Sequence, residues 1–243
     1  MPNESEWSFR HTPATVALVG IAAIIEIIST MAPDRRNQLY LDFFGVLSSI
    51  WQGELWRPFT TTLLHANLLH AGFNLYWVLR FAPVLERRFG SPALFGLVVL
   101  LGYVSTLPQF IVTNFHQPVE EQIPIVGLSG VLYGLLGILM IGRRWHEELN
   151  AVCDEHTEQF LLFWLVLCVF LTWQGLLPVA NIAHAAGLAF GLVYGLLLFD
   201  PARRTRWAIV AAIATLAVLA TLIAVPGHEG YEYSRQQREQ QTL

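Results

Sequence analysis

Lysine occurs nowhere in this chain; all fourteen basic residues among its 243 are arginines, and charged residues of both signs make up only 13%. Such scarcity excludes an ordinary water-soluble domain, in which about a quarter of residues are charged. Cysteine is equally sparse. Cys153 and Cys168 are the whole complement, the second inside an apolar run, so there is no disulfide framework, and no Cys/His spacing fits a zinc site. No metal and no cofactor is expected. Also missing is a basic segment leading into a short apolar stretch and a small-residue cleavage site, so the first apolar run reads as a retained span. No fixed-period repeat is visible. The net charge of -4 favours no class of partner, and nothing points to nucleic acid.

What fills the space is hydrophobic: 54% of the chain, with a mean hydropathy of +0.49. The composition predicts an all-α membrane protein surrounded by a lipid bilayer. Seven apolar runs suit crossings of roughly 20 residues each: 13–32, 68–85, 93–112, 126–141, 160–177, 180–199 and 207–225. Residues 33–64 are too polar to span yet rich in Trp, Phe and Leu, and read as an outer loop lying in the interface. The chain thus divides into a cytoplasmic tail (1–12), a six-span core (13–200), a cytoplasmic linker (201–206), a seventh span (207–225) and an outer polar tail (226–243). The end of that tail, 236–243, reads as disordered. Orientation follows from arginine. With the N-terminus inside, nine arginines face the cytoplasm and five the outside, the bias expected of positive charge.

In this topology spans two, four and six all enter from the outside, so the polar residues near their starts share one depth. Span four opens with GLSGVLYG, which sets Ser129 among glycines beginning with Gly127. Small residues there also suit close helix packing, and that alternative applies to a lone serine. His70 and Asn74, four apart in the first turns of span two, lie on one helix face. His184 sits early in span six, on one face with Gly187, Gly191 and Gly195. A face of glycines lets span six approach span four closely enough for an imidazole to reach the serine hydroxyl. Serine needs a base to become a nucleophile, and histidine is suited to that. Tyr133, one turn below Ser129, is placed to pack against the His184 ring. His70 and Asn74, with the Ser129 backbone N–H at a helix start, are candidate donors to an oxyanion. No acidic residue is placed to orient His184, so a Ser-His dyad is expected.

Taken together, ELWRPFT (54–60), HANLLHAGFN (65–74), LERRFG (85–90), GLSGVLYG (127–134) and AHAAGLAFG (183–191) resemble the rhomboid intramembrane serine proteases, in the family's order. The resemblance implies a rhomboid-like six-helix bundle plus one C-terminal helix, with Ser129 as nucleophile, His184 as its base, and His70 and Asn74 as oxyanion-hole side chains. It implies supporting roles for His65, Trp56 and Arg57, and a structural helix-end role for Glu86 and Gly90. Substrates would be transmembrane segments of other proteins, cleaved near their outer ends. The setting would be a bacterial cytoplasmic membrane with the site opening outward. Residues 147–178 match no motif, so the span-five residues that form the lateral gate are not assigned by resemblance.

Two other function classes fit parts of the sequence. One is a non-proteolytic relative that binds membrane clients, although such relatives usually lack the serine or the histidine. The other is a small transporter using His70, Asn74 and Glu26, which no inverted repeat supports. Glu26 reads as a structural hydrogen-bonding group, Phe73 as a packing residue or a substrate-entrance residue, and 146–158 as a solvated cytoplasmic loop.

Overall fold

The computed structural model describes residues 11–32, 49–50, 53–114 and 125–224. Most of the interfacial loop, the connection after span three and the polar tails lie outside the described residues. Among the described residues there are seven long helices: α1 Pro13–Met31, α2 Leu68–Phe89, α3 Ser91–Asn114, α4 Ser129–Gly142, α5 Glu155–Trp173, α6 Asn181–Phe199 and α7 Arg204–Ala224. Among the described residues there is no strand, and the protein is all-α. Five of the helices, α1, α3, α5, α6 and α7, are long and apolar enough to cross a membrane. Of the others, α2 carries charge at its C-terminal end and α4 is short.

The bundle is built around α4, whose residues are all buried except Met140. Its principal neighbour is α6, with α2 and α3 completing the surround. On the outside of that group α1 packs on α2, while α7 lies against α6 and α3. Contact between α4 and α6 is backbone to backbone. A Cβ on Gly187 would fall on the Gly130 carbonyl and one on Gly191 on the Gly134 carbonyl, while one on Gly137 would come within 2.7 Å of the Leu188 carbonyl oxygen. Such proximity is open only to glycine, and it is how helices gain contact in lipid, where burying apolar side chains brings little.

Polar side chains fix the helix ends. Glu86 is buried and accepts from Ala14 N (2.7 Å), Thr15 N (2.8 Å), Thr15 Oγ1 (2.6 Å) and Ser91 Oγ (2.7 Å). One carboxylate thereby satisfies first-turn amides of α1 and ties α1 to the α2–α3 corner, where Gly90 turns the chain at φ +86°. Asn67 caps α2 by accepting from His70 N at 2.9 Å. Asp154 caps α5 by accepting from Thr157 N at 2.8 Å.

Three expectations from hydropathy need correction. The fourth helix starts at Ser129, not at 126, because Gly127 has φ +109°, which no helix accommodates. It is about 21 Å long, short of the roughly 30 Å of a hydrocarbon core. The fifth helix occupies Glu155–Trp173 and not 160–177, since Asp154 supplies its cap and Gly175, at φ +70°, ends it. Finally, 146–158 is no solvated loop throughout. Leu149, Val152 and Cys153 are buried in the core, and Arg80 and Arg143 donate to the Val152 and Cys153 carbonyls at 3.0 and 3.3 Å.

Candidate active site

Ser129 is the first residue of α4, so its amide is one of the first-turn N–H groups with no intrahelical acceptor. His184 lies in the first turn of α6. The contact between the two helices brings His184 Nε2 to 2.8 Å from Ser129 Oγ, with both residues buried. The His184 ring is tilted at 38° against Tyr133, centroids 4.9 Å apart, and Tyr133 itself donates its hydroxyl to the Leu161 carbonyl of α5 at 2.9 Å. His184 Nδ1 has no hydrogen-bond partner among the described residues.

His70 and Asn74 converge on the chain just ahead of the serine. A Cβ on Gly127 would come within 2.7 Å of His70 Cε1, 2.9 Å of His70 Nε2 and 3.2 Å of Asn74 Nδ2. Gly127 therefore serves twice, through its left-handed φ and through the space it leaves for these side chains. The Asn74 amide is fully buried, and neither of its polar atoms has a partner among the described residues. A buried amide left unpaired is costly, and sites of this kind mark places where a ligand atom or water completes the bonding.

His65 precedes α2 and accepts from Leu128 N at 3.4 Å through Nε2, with its ring edge-on to His70 at 5.2 Å. Burial, aided by the nearby His70, lowers its pKa from 6.5 to about 3, so the ring stays neutral and able to accept. Arg57 is buried and paired with Glu54, whereas Trp56 is half exposed. The turn Arg57–Thr60 that follows Trp56 is anchored by Thr106 Oγ1 donating to Pro58 O (2.8 Å), and the following Thr61 donates to the Ile125 carbonyl. Glu86 lies at the far end of α2, away from the serine, as a helix-end clamp.

Phe73, expected as a packing or a substrate-entrance residue, stacks on Trp164 of α5 at 5.3 Å, and Trp77 contacts Phe160 at 6.0 Å, so the α2–α5 seam is closed by aromatic side chains. Trp77, Phe160, Trp164, Ser105 and Gln109 were not singled out in the sequence. Aromatic residues in a lipid-facing run give no signal of their partners. Ser105 and Gln109 are buried polar residues on α3 beside the α4–α6 contact. A glutamine inside an apolar run is a visible signal. Among the described residues no group of His, Cys, Asp or Glu could hold a metal ion.

A family model described as a rhomboid domain matches residues 52–201. The chain is 30% identical over 184 residues to the rhomboid protease GlpG of Enterobacter sp. strain 638, covering 75% of this chain and 62% of that protein. It is 33% identical over 197 residues to the rhomboid protease GlpG of Photorhabdus laumondii, covering 80% and 65%. Against the rhomboid protease GlpG of Serratia proteamaculans it is 29% identical over 181 residues, covering 74% and 61%. The chain thus spans less than two thirds of the length of these relatives. With the family model matched over 52–201 and the all-α bundle in place, this membrane protein belongs to the rhomboid family.

Proposed function

We propose that this protein is an intramembrane serine endopeptidase that cleaves transmembrane segments of other proteins near their outer ends. The observation that carries the reading is the 2.8 Å approach of His184 Nε2 to Ser129 Oγ. In the proposed reaction Ser129 Oγ attacks the peptide carbonyl carbon while His184 Nε2 takes the hydroxyl proton, help typically worth about 10²- to 10⁴-fold. The oxyanion accepts from the Ser129 N–H and from the side chains of His70 and Asn74. Collapse breaks the C–N bond, His184 returns its proton to the leaving amine, and an acyl group remains on Ser129. Water, deprotonated by His184, then releases the acid and restores the serine.

Other features support this assignment. Among the described residues the Asn74 amide beside Gly127 has no partner and is a donor awaiting an acceptor, and His184 Nδ1 likewise has none, which fits a dyad with no third member. A helical substrate hides its carbonyls, so the scissile bond falls where small or helix-breaking residues loosen it. The α2–α5 seam, held by side-chain stacking, is the proposed side of approach. The arginine bias supports an N-terminus inside a bacterial cytoplasmic membrane and a site opening outward.

The test is cleavage of a single-span reporter protein by purified wild type and Ser129→Ala. Cleavage by wild type alone, with covalent labelling of Ser129 by a fluorophosphonate, is the expected result. Equal cleavage by both proteins overturns the proposal, and wild type that neither cleaves nor labels points to a client-binding relative.

A further inference from the structure

We propose that Gln109 of α3 is a positioning residue for His184, acting as a helix cap supplied from a different helix. The inference rests on the protease reading for its kinetic consequence, though not for its geometry.

The first turn of a helix leaves four N–H groups without intrahelical acceptors, and a buried turn must satisfy them. In α6 the residue before the helix is Ala180, which has no side chain able to cap. Three of them nonetheless have acceptors. Asn181 N donates to the Val179 carbonyl at 2.9 Å, and the intrahelical ladder begins with His184 N donating to the Ala180 carbonyl at 3.2 Å. The two between them, Ile182 N and Ala183 N, both donate to Gln109 Oε1, at 2.9 and 3.1 Å. Two converging N–H donors require an acceptor, which settles which end of the amide faces the helix. Gln109 thus performs, from more than seventy residues away, what Ser, Asp or Asn ordinarily does at a helix start.

The next residue after this pair is His184. The position of the imidazole along and around α6 follows that of the turn below it, and Gln109 is what holds that turn. Its own helix is fixed in turn to α4. Ser105, one turn earlier on the same face of α3, lies so close to Gly130 that a Cβ there would come within 2.7 Å of Ser105 Cβ, and Leu101 one turn earlier again fills the space beside Gly134. One face of α3 therefore references both helices that carry the Ser129–His184 pair: α4 through Leu101 and Ser105, and α6 through Gln109. A small error in such a pair is expensive, since displacements of about 1 Å can cost on the order of 10²-fold in rate.

The experiment compares Gln109→Leu, which keeps the bulk and loses the acceptor, with Gln109→Glu, which keeps an acceptor oxygen on a stem of the same length. Fluorophosphonate labelling rate per folded molecule and kcat are measured for both, with amide hydrogen exchange at Ile182 and Ala183. Gln109→Leu is expected to lower labelling rate and kcat together by about 10- to 100-fold, with KM unchanged and faster exchange, and Gln109→Glu to restore all three. Should Gln109→Leu not fold, Gln109→Asn, whose oxygen falls one methylene short, takes its place. Loss of stability with a wild-type labelling rate per folded molecule overturns the inference, as does a Gln109→Glu enzyme as slow as Gln109→Leu. If wild type neither labels nor cleaves, the protease reading has failed; exchange then decides the cap separately, and equal exchange in all variants overturns it.

Discussion

Helices α4 and α7 are both apolar runs, yet they occupy opposite situations. Every residue of α4 but Met140 is buried, whereas Ile209, Ile213 and Leu216 of α7 are each more than half exposed. Length would favour α7 as the stronger span, and hydropathy does not separate them by role. Glycine does. Helix α4 carries Gly130, Gly134, Gly137 and Gly142, and α7 carries none. In lipid an apolar side chain gains little by exchanging acyl chains for protein, so the centre of the bundle goes to the helix whose backbone others can approach. The polar partners differ as well: α4 carries Ser129 and Tyr133 to His184, with His65 bonded to Leu128 N just ahead of it, while α7 is joined to α6 by a hydroxyl pair, Tyr194 and Thr215, at 2.7 Å.

The sharpest way to break this contrast is to enlarge one small residue on each side of it. Gly191→Val places side-chain atoms on the Gly134 carbonyl, so α4 and α6 must separate. Reporter cleavage is expected to fall by more than about 10²-fold, with less folded protein recovered from detergent. Ala212→Val on the exposed face of α7 is expected to leave both measurements unchanged. A second pair removes polar groups. Asn74→Ala is expected to lower kcat by about 10²-fold or more if the amide donates to an oxyanion, and Thr215→Val to leave kcat alone. An unchanged kcat with altered stability in Asn74→Ala would assign Asn74 to packing.

Two smaller effects concern what holds the frame around α4. Glu86→Gln weakens a carboxylate with four donors and is expected to reduce stability by about 3 kcal/mol, read in denaturant titrations, without changing the labelling rate per folded molecule. The last involves pH. His65 has a pKa near 3 when folded and 6.5 as the reference, so below pH 6.5 the unfolded chain binds a proton that the folded protein refuses. Stability therefore falls as the pH drops from 6.5 toward 3, by at most about 1.4 kcal/mol per pH unit from this group, and is unaffected above that window. Melting temperatures between pH 7 and 5 should decline less steeply in His65→Gln than in wild type.

The residues that come together at the site were visible because each is polar within an apolar run: Ser129, His184, His70 and Asn74 stand out against their neighbours. Gln109 carries the same signal but was not singled out, because its role is to bond a backbone, and no side-chain motif announces which amides lack acceptors. Trp164 and Phe160 were hidden for another reason, being aromatic residues in a helix where aromatic residues are ordinary. The helix starts at Ser129 and Glu155 were displaced from the hydropathy boundaries because a positive φ at Gly127 and the Asp154 cap set them, and hydropathy averages over both.

By itself the amino-acid sequence determined that this protein lives in a bilayer, how many apolar rods it offers and which of them carry glycine faces, since these depend only on side-chain polarity and helical period. Tertiary structure decided which rod takes the centre, that Gln109 completes the first turn of α6, and that a hydroxyl and an imidazole 55 residues apart lie 2.8 Å from each other. Those outcomes depend on tenths of an ångström between backbones, a quantity that no single helix possesses until it has a neighbour.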